Sequence, residues 1–201
     1  MSKWKGFFVF EGIDGSGKTT VSKRIAERLK EKNQSVVWHR EPTDGNYGKK
    51  IRSFLSGQAT LSPKEQLELF VLDRIESVNS VILPHLEKGS LIIQDRYYYS
   101  TAAYQGGKDL SAEEILSLNE NKGFPKPTQV FFLDLTPEEA KERRKYRGGT
   151  EEAFDEDKEQ NRIYANYMKI LPENTVFLDA TQSIKSLLDA IQEIIEGEIR
   201  S

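Results

Sequence analysis

The residues best suited to chemistry form a glycine-rich run near the start of the chain. Gly12-Ile13-Asp14-Gly15-Ser16-Gly17-Lys18-Thr19 fits the pattern G-x-x-x-x-G-K-[ST] at every fixed position. Small residues let the backbone N–H groups curl around phosphate oxygens, and the next helix adds the positive end of its dipole. In this pattern Lys18 reaches the β- and γ-phosphates and the Thr19 hydroxyl ligates Mg²⁺. The run, called the P-loop below, therefore predicts binding of Mg·ATP and transfer of its γ-phosphoryl group.

A second candidate site follows a later apolar segment, Leu91-Ile92-Ile93-Gln94-Asp95-Arg96. An aspartate at the end of a buried strand is typical of a carboxylate that lies near the nucleotide's Mg²⁺. The next residue, Arg96, is expected at the edge of the sheet where ligands of α/β proteins bind, and a guanidinium suits a second phosphate. A surface ion pair is the plainer interpretation of Arg96.

Further charged and aromatic residues suggest a site for the phosphate acceptor. Phe70 and Arg74 are four residues apart on a predicted helix and are therefore neighbours on its surface. A ring beside a guanidinium is suited to stack on a base and bond its edge. Residue type alone favours the plainer interpretation, a core Phe70 and a surface Arg74. Arg40, after a strand, and Arg52, in the next helix, are further candidate cations.

A basic cluster at Arg143–Arg147 closes a predicted helix and precedes Gly148-Gly149. Cations at a helix C-terminus are favoured by the helix dipole alone. The functional interpretation is a lid at about 143–157 that brings an arginine to the γ-phosphoryl group and excludes water.

Strands and helices alternate along the chain and must bring these residues together. Apolar runs predict strands, while amphipathic stripes and capping boxes at Ser62, Ser111 and Thr136 predict helices between them. Such alternation favours a parallel sheet with ligands at the carboxyl ends of its strands. We expect a single α/β domain over residues 1–201, a three-layer P-loop NTPase fold with a five-stranded parallel sheet flanked by helices and a short lid. The predicted strands are Gly6–Phe10, Ser35–Trp38, Leu91–Ile93, Val130–Leu133 and Val176–Leu178.

The composition excludes several classes of protein. The 201 residues include no cysteine, which rules out a disulfide framework, a thiolate zinc site and cysteine catalysis. The formal net charge of -3, without a long basic stripe, argues against a nucleic acid polymer as partner. No run approaches the roughly 18 apolar residues of a membrane span, and the N-terminus does not resemble a secretory signal. We therefore expect a cytoplasmic protein with no membrane partner.

Taken in order along nearly the whole chain, these motifs resemble those of the thymidylate kinase family, which phosphorylates dTMP to dTDP for dTTP biosynthesis. The resemblance implies direct in-line transfer from Mg·ATP to dTMP and a homodimeric protein, for which Leu67–Ile82 is the candidate interface. The segments that carry it are Phe10–Thr20, Arg40-Glu41-Pro42, Leu69–Arg74, Asp95-Arg96-Tyr97, Ser100–Gly106, Leu133-Asp134 and Pro137-Glu138.

The resemblance also implies roles for single residues. Phe70 stacks on thymine, Arg74 bonds the thymine carbonyl, and Tyr104 crowds the 2′ position of the sugar. Arg96 and Arg52 bind the acceptor phosphate, while Asp14 lies near the 3′-hydroxyl as a positioning group. The resemblance further places Pro42 and Gln105 at the base, and Thr19 and Asp95 at Mg²⁺. It places the run from Gly12 through Thr20 at ATP, together with Arg143. The residues that it implies in catalysis are Lys18, Arg96, Arg147 and Asp14.

The catalytic arginine is placed by the same resemblance. One subgroup of the family has a basic residue in the P-loop where this chain has Gly15, and a second subgroup supplies the cation from the lid. The basic lid predicts the second arrangement, with Arg147 as the transition-state arginine. Two segments depart from the family pattern. Thr43-Asp44-Gly45 stands where many members have a Gly-Gly pair, and Tyr98-Tyr99-Ser100 replaces loop versions that contain Asn or Asp.

Two other functions stay open at this point. A kinase for another nucleoside monophosphate, dUMP included, or for a nucleoside would carry the same P-loop. A non-catalytic nucleotide switch would bind nucleotide without turning it over. A GTPase of that kind should carry Asn-Lys-x-Asp, and this chain offers only Asn121-Lys122-Gly123-Phe124.

Overall fold

The five predicted strands form one parallel sheet in the computed structural model of the chain, which describes residues 6–107, 109–147, 154 and 156–200. The spatial order of the strands is β2-β3-β1-β4-β5, with every neighbouring pair parallel. The predicted α/β class and parallel sheet are therefore confirmed. The strands are β1 Phe7–Glu11, β2 Val36–Arg40, β3 Leu91–Asp95, β4 Gln129–Asp134 and β5 Val176–Asp179.

Helices fill the connections between strands. The capping boxes predicted at Ser62 and Ser111 are both formed, and Thr136 and Glu139 exchange the same reciprocal hydrogen bonds at 3.1 and 3.2 Å. No helix of the described residues is both long and apolar enough to cross a membrane. The helices are α1 Lys18–Glu31, α2 Asn46–Leu55, α3 Pro63–Ser77, α4 Leu83–Glu87, α5 Tyr98–Gln105, α6 Ala112–Glu120, α7 Pro137–Arg147, α8 Asp157–Ile170 and α9 Ile184–Arg200.

Three local predictions need correction. The sequence predicts a functional loop over Glu41–Lys49, but the loop is shorter, because α2 already begins at Asn46. Tyr98-Tyr99-Ser100, expected in a loop, lies buried in the first turn of α5. The apolar stripe over Leu67–Ile82 does not stay on one regular helix, because a π-helical turn at Val78–Ile82 separates α3 from α4. A π-helical turn holds an extra residue and rotates the later side chains around the axis.

The sheet sits in the centre of the core. Every residue of β1 and β3 is buried, so helices cover both faces of these strands, as expected for a parallel sheet. Around it α1 packs against α9, while α5 packs against α3, α6 and α8. The Phe10 and Phe131 rings of neighbouring strands stack with centroids 5.1 Å apart.

The order of the strands decides which residues meet. Because β2, β3 and β1 are neighbours and parallel, the segments that follow them leave the sheet at one edge. The register pairs Asp95 with Phe10 on one side and with Arg40 on the other. The P-loop after β1, Glu41 after β2 and Arg96 after β3 therefore lie around one position.

Candidate active site

The P-loop connects β1 to α1 and encloses the Lys18 side chain. Lys18 is 5% exposed, and its Nζ donates to the carbonyl oxygen of Ile13 at 2.9 Å across the loop. Burial, reinforced by the nearby charge of Arg96, lowers the pKa of Lys18 to about 8. The Ser16 hydroxyl is buried and has no hydrogen-bond partner among the described residues. A buried cation and an unpaired hydroxyl fit a loop whose missing partner is an anion such as phosphate.

Gly15 brings α7 against the P-loop. It has φ +94°, and a Cβ there would lie 2.8 Å from the carbonyl oxygen of Ala140 and 3.3 Å from Cγ of Arg144. Arg144 Nη1 in turn donates to the carbonyl oxygen of Asp14 at 2.7 Å. A larger residue at position 15 would displace α7. With glycine at this position, the cation beside this part of the P-loop is Arg144 of α7. The sequence analysis predicts individual roles for Arg143 and Arg147, whereas Arg144 is only part of the basic cluster there.

Thr19 and Asp95 form the candidate magnesium site. The Thr19 hydroxyl donates to Asp95 Oδ2 at 2.5 Å, while the buried Asp95 Oδ1 has no hydrogen-bond partner in the part of the chain that the structure describes. An unpaired buried carboxylate oxygen beside a hydroxyl fits Mg²⁺, which prefers oxygen ligands and takes only one or two carboxylates from the protein. Among the described residues no cluster of three or more His, Cys, Asp or Glu side chains is present. The pair therefore suits a metal that arrives with the nucleotide.

Asp14, Arg96 and Tyr104 form a hydrogen-bonded cluster between the P-loop and α5. Arg96 Nη2 donates to Asp14 Oδ1 and, at 3.1 Å, to the Tyr104 hydroxyl, which donates to Asp14 Oδ2 at 2.9 Å. Burial alone would raise the pKa of Asp14, but the charges of Arg96 and Lys18 outweigh burial and lower it. Asp14 is thus an ionised group that the cations hold in place.

The turn that carries Arg96 is held by a buried carboxylate, Glu11. Arg96 has φ +66°, which is unusual for a residue other than glycine. The Tyr97 N–H donates to Glu11 Oε1 at 2.8 Å, and the Ser100 hydroxyl donates to Glu11 Oε2 at 2.5 Å. Arg96 Nη1 also donates to Ser100 Oγ at 3.0 Å. Glu11, the last residue of β1, therefore fixes both the backbone and the guanidinium of Arg96 next to the P-loop.

One pocket joins these groups to α3 and is called the central pocket below. Phe70 is half-buried on its wall and lies outside the hydrophobic core. The Glu41–Pro42 peptide bond, which is cis, lies at the same wall. The residues lining the pocket are Asp14, Thr19, Arg40, Glu41, Pro42, Arg52, Leu55, Phe70, Arg74, Asp95, Arg96, Tyr97, Ser100, Thr101, Tyr104 and Phe154.

Arg74 corrects the interpretation that residue type favoured. It is 1% exposed, not a surface charge, and its Nη2 pairs with Glu41 Oε2 at 2.6 Å. Its other hydrogen bonds go to Asn119 Oδ1 at 2.8 Å and Thr101 Oγ1 at 3.0 Å, while its buried Nε has no partner within the described ranges. Burial and the neighbouring Asp73 outweigh the effect of Arg74 and raise the pKa of Glu41 to about 7. The pocket therefore has a fixed guanidinium at its α3 end.

Arg52 lies at the side of the pocket formed by the segment after β2. Its Nη1 donates to the carbonyl oxygens of Pro42 at 3.1 Å and Thr43 at 2.5 Å. Its Nη2 forms an ion pair with Asp44 at 3.2 Å. The structure thus brings two predicted acceptor cations, Arg52 and Arg96, to one pocket, together with Arg40.

Three predicted residues are not placed in the pocket. Gln105 does not line it, and no described residue is a hydrogen-bond partner of its buried Nε2. Arg143 donates to the carbonyl oxygen of Ala180 at 2.7 Å, at the other side of the P-loop region. Arg147 ends α7, but its side chain lies outside the described residues, as does most of the predicted lid at 143–157. Their roles stay predictions.

Phe154 is the pocket residue whose position was least predictable from sequence. Its ring packs edge-on against Tyr104 at 5.6 Å and against Phe54 at 6.1 Å. The buried Gln160 holds it in place by donating to its carbonyl oxygen at 2.7 Å. The available signal was that Phe154 is a single aromatic residue within the charged segment 147–157 of the sequence. No individual role was predicted for three further pocket residues, Glu41, Ser100 and Thr101, which are only parts of the sequence motifs.

Comparison with known proteins assigns the chain to one group. The sequence model of a family described as thymidylate kinase matches residues 10–191, which include every residue that lines the pocket. The thymidylate kinase of Leptospira borgpetersenii serovar Hardjo-bovis is 43% identical over 195 residues, which is 97% of this chain and 94% of the relative. The probable thymidylate kinase of Archaeoglobus fulgidus is 39% identical, covering 93% of each chain. That of Pyrococcus abyssi is 38% identical, covering 97% and 98%.

Proposed function

This chain belongs to the thymidylate kinase family of nucleoside monophosphate kinases, and we propose that it transfers the γ-phosphoryl group of ATP to dTMP in the central pocket. The observation that carries the proposal is the pocket's lining. It combines the Thr19–Asp95 pair beside the P-loop and Arg96 after β3 with Phe70 and Arg74 of α3. Such a pocket suits a donor phosphate chain at one end and a base at the other.

The acceptor nucleotide fits the pocket in one direction. Phe70 offers an aromatic face and Arg74 a guanidinium to the base, so thymine stacks and its carbonyl accepts a hydrogen bond. The Tyr104 hydroxyl, tied to Asp14 and Arg96, stands at the level of the sugar. The 5′-phosphate then reaches Arg96 and Arg52, whose guanidinium forks match phosphate oxygens.

The donor and its metal occupy the P-loop. The loop N–H groups and Lys18 bind the phosphates of ATP, and the Thr19 hydroxyl with the Asp95 carboxylate would hold Mg²⁺. When bound, Mg²⁺ neutralises charge on the phosphates. Arg143 is proposed to lie against adenine. Binding of the phosphates also favours the charged form of Lys18, whose pKa is lowered by burial to about 8.

Transfer then requires alignment and not a covalent intermediate. The acceptor phosphate is already anionic, so no strong general base is needed. Arg96 touches the region where both nucleotides' phosphates meet and offsets the charge that they bring together. Asp14 holds Arg96 and Tyr104 in position, and in this proposal it does not take the proton.

The acceptor is tested by a coupled ADP-release assay with Mg·ATP and dTMP, dUMP, dCMP, AMP or thymidine. We expect a clear preference for dTMP. Preference for another monophosphate or for a nucleoside would keep the kinase activity and overturn the roles of Phe70, Arg74 and Tyr104. Stoichiometric nucleotide binding without turnover of any acceptor would support the alternative function, a non-catalytic switch.

The transition-state arginine is proposed to be Arg147. Replacing Arg147 with alanine should lower kcat by about 10²-fold or more, the usual loss when one charge-stabilising donor is removed. Lys145→Ala is the matched control, since Lys145 is an exposed cation of the same helix that pairs with Glu142. An unchanged kcat in Arg147→Ala would refute the role. Arg144, which contacts the P-loop backbone, would then be the next candidate.

We also propose a homodimer that uses the segment Leu67–Ile82. Several apolar side chains of this segment are only half-buried, among them Val71, Leu72 and Ile75. Light scattering measures the state directly, and a monomer would refute the proposal. The cytoplasmic location and the absence of a nucleic acid or membrane partner stay predictions.

A further inference from the structure

A carboxylate beside the central pocket already occupies two of its arginines. Asp44 Oδ1 lies 3.1 Å from Arg40 Nη2 and 3.2 Å from Arg52 Nη2. Both arginines line the pocket, whereas Asp44 does not. One oxygen shared by two guanidinium groups is also the contact that a phosphate oxygen would make between them.

The position of Arg52 does not depend on this ion pair. Arg52 Nη1 donates to the backbone carbonyls of Pro42 and Thr43, and these contacts remain whatever stands at position 44. The backbone there is held in turn by Asp73, which accepts from the Thr43 N–H at 2.9 Å and the Thr43 hydroxyl at 2.6 Å. The Asp44 charge is therefore dispensable for placing Arg52 in the pocket.

Asp44 nevertheless changes the charge that a ligand meets. Hydrogen bonding and the positive charge of Arg40, with a further contribution from Arg52, lower the pKa of Asp44, so it is ionised at neutral pH. Its side chain is 78% exposed, so solvent and salt screen its charge. An incoming phosphate must displace this carboxylate or bind beside it.

We propose that Asp44 is a specificity-determining residue that competes with the acceptor's phosphate for Arg40 and Arg52. Resting on the proposed function, this means that Asp44 weakens the binding of phosphate-bearing acceptors and leaves an uncharged nucleoside unaffected. Affinity for the acceptor then depends more on the base contacts at Phe70 and Arg74. Asp44 belongs to the segment Thr43-Asp44-Gly45, where this chain departs from the Gly-Gly pair of many family members.

The test is calorimetric titration of the Asp44→Asn protein with dTMP and with thymidine. Asparagine keeps an oxygen that can accept from the arginines but removes the charge. At low ionic strength we expect the Kd for dTMP to fall about 3- to 10-fold, from the loss of one nearby negative charge. The Kd for thymidine should not change, and the gain for dTMP should shrink at about 0.5 M salt. Glu27→Gln, which removes the charge of an exposed carboxylate on α1, is the matched control.

Unchanged or weaker dTMP binding by Asp44→Asn would overturn the proposal, because it would make Asp44 neutral or a positioning group for Arg52. An equal gain for thymidine would overturn it too, since the effect would then not act on phosphate. Failure of the proposed function is separate, because wild-type protein would then show no dTMP turnover. In that case pyrophosphate is the probe, and Asp44→Asn should still bind it more tightly for the proposal to stand.

Discussion

Replacing Arg96 with alanine is expected to lower kcat/KM for dTMP by about 10³-fold, the largest kinetic effect that we anticipate at this site. Arg96 is the side chain that bonds to Asp14, Ser100 and Tyr104 at once, in the part of the pocket where we propose that the two phosphates meet. Its removal takes away one positive charge and also leaves the Asp14 carboxylate facing the phosphates. The measurement is steady-state kinetics with dTMP varied at saturating Mg·ATP.

A positive charge at position 96 should not be sufficient for activity without the planar geometry of the guanidinium. Arg96→Lys keeps the charge but cannot donate to three partners from a flat fork, so it should restore only a small part of the activity. Arg24→Ala, which removes an exposed arginine of α1, should leave kcat/KM unchanged. If Arg96→Ala retained most of its activity, Arg96 would be a structural ion pair and the proposed position of the acceptor phosphate would be wrong.

A double mutant separates the lost cation from the exposed anion. In Asp14→Asn/Arg96→Ala the uncompensated carboxylate is gone, so this protein should be more active than Arg96→Ala alone. The two changes are in direct contact and are therefore expected to be non-additive. Additive losses would mean that Asp14 has a separate role of its own, for example at the 3′-hydroxyl.

The fold was predictable because local signals and strand order agree. Buried β-branched runs, capping residues and the P-loop motif each depend on neighbours in the sequence, and all of them survive in the structure. The carboxyl-edge location of Asp95 and Arg96 followed from the parallel sheet alone. The departure at Val78–Ile82 was not predictable, because nothing in the apolar period marks where an extra residue enters a helix.

The site was less predictable where it depends on pairing between distant residues. Residue type favoured a surface Arg74, and only the fold supplies Glu41 after β2, Thr101 from α5 and Asn119 from α6 to bury it. The contact of Arg144 with the P-loop depends in the same way on the packing of α7 against Gly15. These partners lie far apart in the sequence, so no local pattern reports their contacts.

Replacing Arg74 with methionine is expected to cost about 3–5 kcal/mol of unfolding free energy at pH 8, the range for removing one partner of a buried ion pair. Arg74 is the cation that faces Glu41, and Asp73 is buried nearby. Without it Glu41 must either stay charged in a buried position or take up a proton. The measurement is urea unfolding at pH 6 and pH 8, without nucleotides so that binding does not contribute.

The pH dependence of the unfolding free energy shows whether the stability lost in Arg74→Met comes from the charge of Glu41. Burial raises the pKa of Glu41 from its ordinary value of 4.5 to about 7, so the folded protein holds this proton more tightly than the unfolded chain does. The stability that this group contributes is present below pH 4.5 and is lost as pH rises through about 7. Removing Arg74 raises the pKa of Glu41 further, so the loss in Arg74→Met should be smaller at pH 6 than at pH 8. An equal loss at both values would assign the effect to packing.

Glu41→Gln is the companion variant, which removes the carboxylate and leaves Arg74 buried. The amide that replaces the carboxyl group cannot titrate, so the stability of this protein should no longer fall as pH rises through about 7. At pH 8 it should still be less stable than wild type, because the buried Arg74 guanidinium loses its counter-ion. Combined with Arg74→Met it should recover much of the lost stability, because a neutral pair replaces a lone buried carboxylate. We infer that Glu41 holds the Arg74 guanidinium toward the base, so Glu41→Gln should also raise the KM for dTMP.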